Sequence, residues 1–99
     1  MKMIFLALGS NLSSSFANKY ENLNFAISYL KNYEINVINK SHFYETPSYP
    51  NANDPKFINM VISVKSSLRP KDLMSVLLLI EEKLERKRNQ KNDPRTCDI

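Results

Sequence analysis

Phe57-Ile58-Asn59-Met60-Val61-Ile62-Ser63-Val64-Lys65 is the stretch from which the rest of the chain can be read. Successive side chains of a strand point to opposite faces. Ile58, Met60, Ile62 and Val64 therefore make one apolar face, and Phe57, Asn59, Val61 and Ser63 make the other. Clean alternation of this kind predicts an antiparallel strand with one face on a core and one face turned away from it. Whatever flanks the strand has to cover the Ile58 to Val64 face.

Both neighbouring segments supply that cover. On the C-terminal side, Pro70 sits where a first helical turn tolerates proline. Leu73, Leu77, Ile80 and Leu84 follow as a helical stripe. On the N-terminal side, Phe16, Tyr20, Leu23, Ile27 and Leu30 form a second stripe, with Ser13-Ser14-Ser15 as its expected N-cap. Met3 to Leu8 is a continuous apolar run ending at Gly9, which predicts a strand buried on both faces followed by a tight turn. Ile35 to Tyr44 is β-rich, with Ile35, Val37 and Phe43 on a period of two, and its His42 is expected as a packed strand residue. Thr46 to Pro55, with three prolines, reads as a loop. Arg95 to Ile99 begins another extended segment, in which Cys97 points to the core.

The element order is β-α-β-β-α-β, which predicts an α+β, ferredoxin-like fold with an antiparallel sheet and two helices on one face. The last strand is cut short at Ile99. Residues 1–99 make one small domain with a single core, without internal repeat. The opposite face of the sheet is left to hold a ligand.

Composition narrows the function classes. The net charge is +4, and there is one glycine where usage of about 7% is ordinary. Abundant Asn, Lys and Ile fit an AT-rich genome, so the lysines carry little argument. A single cysteine excludes an internal disulfide and fits a reducing, cytoplasmic setting. The N-terminal apolar run is too short for a membrane span.

The arginines are clustered more sharply. Three of the four, Arg86, Arg88 and Arg95, lie with Lys87 and Lys91 in a stretch that leads to Asp98. Arginine forks onto phosphate oxygens, and carboxylate oxygens suit Mg²⁺. The rival readings are a solvated helix end, where basic residues favour the macrodipole, and a nucleic-acid patch, which here lacks any aromatic interleaving. Phe57 and Asn59, two apart on the strand, point away from the helices. A ring can stack on a flat heterocycle and an amide can pair with its edge. Taken alone, they also fit a half-exposed Phe and a solvated Asn.

Several motifs occur in an order that resembles one family. Pro94-Arg95-Thr96-Cys97-Asp98 resembles the PRT-x-D-x-D signature of 6-hydroxymethyl-7,8-dihydropterin pyrophosphokinases, enzymes of folate biosynthesis. Leu8-Gly9-Ser10-Asn11-Leu12 resembles their GSNL segment, and Tyr44-Glu45-Thr46-Pro47 their YET-P loop. Asp54-Pro55-Lys56-Phe57-Ile58-Asn59 resembles their QP-x-(F/Y)-x-N segment, and Ile80-Glu81 with Arg86 and Arg88 their IE…R-x-R helix end. The resemblance spans essentially the whole chain. It departs where the family usually has Gly and this chain has Glu85 and Asp93.

The resemblance implies a cytoplasmic, ATP-binding transferase that moves diphosphate from ATP to the hydroxymethyl group of the pterin. It implies no nucleic-acid or membrane partner. It places pterin contacts at Thr46, Pro47, Phe57 and Asn59, and nucleotide contacts at Glu81, Arg86, Arg88 and Arg95. Arg86, Arg95 and Asp98 become catalytic, with Asp98 on Mg²⁺. From the residues alone, Glu81 is either a site-facing acid or part of an exposed Glu81-Glu82-Lys83 run. The sequence stops before the second aspartate of the signature, so the expected molecule is a fragment or truncated gene product, marginally stable and with little or no transferase activity of its own. The alternative is a non-catalytic ferredoxin-like module that binds a ligand or partner.

Overall fold

The computed structural model describes residues 2–11, 17–47, 56–85, 97 and 99, with Lys2 described in its backbone only. The elements run β1 (Lys2–Ser10), α1 (Lys19–Lys31), β2 (Asn36–Lys40), β3 (Tyr44–Thr46), β4 (Phe57–Ser66) and α2 (Pro70–Lys83). β4 is the centre of an antiparallel sheet. β1 pairs along one side of it, from Lys2 opposite Ser66 to Ser10 opposite Ile58. β2 and then β3 pair along the other side. This is the α+β, ferredoxin-like arrangement, with β2 and β3 sharing the place of one long strand.

The alternation in β4 is realised directly. Ile58, Met60, Ile62 and Val64 are buried in one cluster with Leu6 and Leu8 of β1, Leu23, Ile27 and Leu30 of α1, and Leu73, Leu77 and Ile80 of α2. Leu84, just past α2, completes the second helical stripe. Both helices therefore cover the same face of the sheet. Lys83 Nζ lies 5.6 Å from the Tyr29 ring centroid, a cation–π contact joining α2 to α1. Among the described residues no helix is long and apolar enough to cross a membrane.

Several local expectations are corrected. β1 is not buried on both faces: Met3 and Phe5 stand 53% and 71% exposed on the face away from the helices. An apolar residue on an open face cannot be told from a core residue by composition alone. Asn18, rather than the serine triplet, caps α1. Its Oδ1 accepts from Glu21 N–H at 2.9 Å, and Glu21 Oε1 accepts from Asn18 N–H at 3.0 Å. That reciprocal box satisfies two donors that the helix start leaves without partners. Ser13 to Ser15 and Phe16 lie outside the described residues. Tyr20 is partly exposed and meets Phe43 edge-on, with centroids 5.3 Å apart.

The β-rich stretch after Ile35 is two strands, with an irregularity between Val37 and Asn39. Between the strands, Ser41 keeps the ladder intact. Its N–H donates to Val61 O at 2.8 Å, and its hydroxyl accepts from Val61 N–H at 2.9 Å. His42 is exposed in this connection instead of packed. Of the expected last strand, only Cys97 and Ile99 are described. Cys97 is fully buried in the core, as its alternation with Asp98 implied.

Candidate functional site

The pairing register brings the candidate residues to one end of the sheet, on the face opposite the helices. Asn59 lies opposite Gly9 of β1 on one side and opposite Tyr44 of β3 on the other. One step along β4, Phe57 lies opposite Thr46. Thr46 is thus the last residue of β3 and not part of a loop, and Pro47 follows it, exposed.

The Asn59 amide has a defined orientation. Its Nδ2 donates to Thr46 Oγ1 at 2.8 Å and to Tyr44 O at 3.3 Å. A backbone carbonyl can only accept, so the nitrogen has to face β3. The amide oxygen then faces β1. There it lies 3.1 Å from where a Cβ on Gly9 would stand, and Phe57 Cδ1 lies 3.4 Å from the same point. Gly9 is therefore not a turn residue. It sits inside β1, buried, and its lack of a Cβ lets the Asn59 and Phe57 side chains lie close over its backbone. Any side chain there would press on an amide that two hydrogen bonds already hold. Ser10 and Asn11, the next two residues, are buried.

The chemistry follows from that arrangement. Both amide donors of Asn59 are directed to β3, so the group offers its acceptor oxygen to a ligand. The half-buried ring of Phe57 stands near it. A flat heterocycle whose edge carries N–H donors suits such a pair. A cleft of about 660 Å³ lies at the other end of the sheet between Ile4, Ser66, Leu68, Arg69 and Leu73. Its lining is mainly apolar, with Ser66, Ser67 and Arg69 as the polar side chains.

Most of the charged half of the expected site falls outside the described residues. Arg86, Arg88, Arg95 and Asp98 lie outside the described residues. β4 runs from Phe57 to Ser66, and α2 starts at Pro70 and turns back along the sheet. Its 14 residues cover about 21 Å at 1.5 Å each. The chain thus leaves α2 toward the end that carries Asn59. Glu85 exits the helix at φ 68°, a left-handed conformation that favours glycine. Glu81 is not part of an exposed run with Glu82 and Lys83. It is only 3% exposed, and its Oε2 accepts the N–H of Ile99 at 3.0 Å. The pattern did carry this signal, because Glu81 is four residues after Leu77 and so shares the buried side of the helix. Among the described residues no three His, Cys, Asp or Glu side chains gather to hold a metal ion.

Comparison with known proteins identifies the family. The profile of the family described as 7,8-dihydro-6-hydroxymethylpterin-pyrophosphokinase matches residues 5–99. A folate synthesis bifunctional protein of Arabidopsis thaliana is 33% identical over 97 residues, which is 97% of this chain and 19% of that protein. The 2-amino-4-hydroxy-6-hydroxymethyldihydropteridine pyrophosphokinase of Helicobacter pylori is 34% identical over 99 residues, 97% of this chain and 58% of that protein. The enzyme of that name from Porphyromonas gingivalis is 30% identical over 86 residues, 87% of this chain and 56% of that protein. The chain thus spans a little over half the length of these bacterial relatives. Its profile match over residues 5–99 shows that the chain belongs to the 7,8-dihydro-6-hydroxymethylpterin-pyrophosphokinase (HPPK) family.

Proposed function

We propose that the protein transfers the terminal diphosphate of ATP to the hydroxymethyl group of 6-hydroxymethyl-7,8-dihydropterin, a step of folate biosynthesis in the cytoplasm. Residues 1–99 form one domain, the N-terminal part of the catalytic unit, and neither nucleic acid nor membrane is a partner. The observation that carries the reading is the Asn59 amide, turned by Tyr44 O and Thr46 so that its oxygen lies on the Gly9 side of the strand. A pterin has the matching shape and chemistry, being a flat ring system with an amino group and ring N–H donors along one edge.

In this reading Phe57 stacks on the pterin, Asn59 pairs with its edge, and Thr46 and Pro47 border it. The hydroxymethyl oxygen attacks the β-phosphorus of ATP. The bond from that phosphorus to the α-phosphate oxygen breaks, AMP leaves, and the hydroxyl proton is lost. Such transfer depends mainly on positioning and charge stabilisation. Arg86, Arg88 and Arg95 grip the phosphates by charge-assisted hydrogen bonds, and Glu81 supports the nucleotide side. Mg²⁺, when bound, neutralises polyphosphate charge. The carboxylate of Asp98 has the hard oxygen chemistry to hold it.

The test is incubation of the protein, as its gene encodes it, with ATP, Mg²⁺ and the reduced pterin. The expected products are AMP and a pterin diphosphate, in equal amounts, by mass spectrometry. ADP, or no pterin product, would rule the reading out.

A further inference from the structure

Between β2 and β3 the chain carries one residue more than the ladder needs. Lys40 lies opposite Ile62 and Tyr44 opposite Asn59, so Ser41, His42 and Phe43 together face only Val61 and Met60. A regular ladder continued from Lys40 would place Phe43 opposite Asn59 and Glu45 opposite Phe57. A one-residue shift of register turns every following side chain to the other face of the sheet. The extra residue therefore decides that Tyr44 and Thr46, and not Phe43 and Glu45, stand beside the candidate site. Contacts on both sides of it hold this bulge. Ser41 Oγ accepts the N–H of Val61 at 2.9 Å and donates to His42 O at 2.9 Å, while Ser41 N–H donates to Val61 O at 2.8 Å. The hydroxyl stands in for the Ser41 carbonyl, so the chain departs from the ladder while Val61 keeps its partner. Beyond it, the Phe43 ring is drawn off to α1, where it meets Tyr20 edge-on with centroids 5.3 Å apart. Bulges recur beside active sites, where they re-aim side chains.

We infer that Ser41 is a positioning residue for the Asn59 amide. The amide nitrogen is held by Tyr44 O at 3.3 Å and Thr46 Oγ1 at 2.8 Å, and both atoms come to it only in the shifted register. Ser41 fixes that shift at Val61, two residues along β4 from Asn59, without touching the ligand. The inference rests on the pterin reading above and adds to it the residue that brings Thr46 to the site.

Ser41→Ala removes the hydroxyl, and Ser41→Thr keeps one. In the ligand-free protein, hydrogen exchange at the Val61 amide is expected to be slow for wild type and Ser41→Thr, and fast for Ser41→Ala. Proton NMR should show the Asn59 side-chain amide in contact with Thr46 in the first two and not in the third. By calorimetric titration, Ser41→Ala should bind 6-hydroxymethyl-7,8-dihydropterin roughly three- to tenfold more weakly, the range of a single hydrogen bond. Its affinity for a non-hydrolysable ATP analogue should stay within about twofold. In an Asn59→Leu background, Ser41→Ala should weaken pterin binding no further, because it acts through the amide. A merely structural role would weaken both ligands together and would add to the effect of Asn59→Leu. If Ser41→Ala does not fold, the wild type and Ser41→Thr still decide. Rapid exchange at Val61 in the wild type, or no contact between Asn59 and Thr46, overturns the inference. So does a threonine variant that keeps Val61 protected yet loses pterin, or an alanine variant that binds pterin as the wild type does. A wild type that shows the Asn59–Thr46 contact and binds no pterin overturns the functional reading and this role with it. That outcome is recognisable because it needs no variant.

Discussion

The two faces of β4 use the same backbone for opposite ends. On one face, Ile58, Met60, Ile62 and Val64 are sealed under both helices. On the other, Phe57 and Asn59 are only partly buried, and their neighbours across the sheet are a glycine, a tyrosine and a threonine. The sealed face converts removed apolar area into stability, and any apolar residue of the right size serves it. The open face adds little area. Its value lies in the direction of one amide, which depends on named atoms: Tyr44 O, Thr46 Oγ1 and the absence of a Cβ on Gly9. Loss on the first face should therefore appear in melting, and loss on the second in binding.

The sharpest break of that contrast is at Ile62. Ile62→Ala empties a site that is 1% exposed in the centre of the core. The expected loss is about 2–5 kcal/mol of unfolding free energy, read from urea denaturation. Pterin affinity of the fraction that remains folded should be unchanged. A large affinity loss at full folding would mean the faces are not independent.

Gly9→Ala probes the open face. The new Cβ would stand 3.1 Å from Asn59 Oδ1, and the amide cannot turn away without leaving Tyr44 O or Thr46. Pterin affinity should fall about tenfold, ~1.4 kcal/mol. The melting free energy should move by less than ~1 kcal/mol, because alanine suits an extended strand better than glycine does. Equal binding by the variant would show that the patch over Gly9 is not used.

Glu85→Gly is the mildest test and leaves both faces alone. At φ 68° a side chain costs roughly 1–2 kcal/mol relative to glycine. Part of this returns as unfolded-chain entropy. A net gain of about 0.5–1 kcal/mol in thermal or urea unfolding is expected, with both ligand affinities unchanged. A destabilised variant would show that contacts of the Glu85 side chain outweigh its backbone strain.

These effects also mark what was legible in the chain. Period-two alternation assigned the faces of β4 without error, and the spacing of Leu73, Leu77, Ile80 and Leu84 assigned α2. The same rule failed in β1, where Met3 and Phe5 lend the open face a core-like composition. The start of α1 was readable after all, since Asn18 followed three residues later by Glu21 is a capping-box pattern. The division of β2 from β3 was not, because it depends on a serine hydroxyl taking the place of a backbone carbonyl opposite Val61. At the site, Phe57 and Asn59 could be paired from spacing alone. Their meeting with Gly9, Tyr44 and Thr46 depends on strand register, which lies in the pairing of distant segments and not in any one of them. Glu81 was placed on the right helix, yet its partner Ile99 is set by tertiary packing.

The central claim is that the Asn59 amide, presented over Gly9, recognises the pterin. Calorimetric titration of wild type and Asn59→Leu, with 6-hydroxymethyl-7,8-dihydropterin and separately with a non-hydrolysable ATP analogue, tests it most directly. The account predicts that the variant loses at least about tenfold in pterin affinity, ~1.4 kcal/mol, while it binds the nucleotide as the wild type does and melts within ~1–2 kcal/mol of it. Pterin binding that is unchanged in a folded Asn59→Leu protein would contradict it.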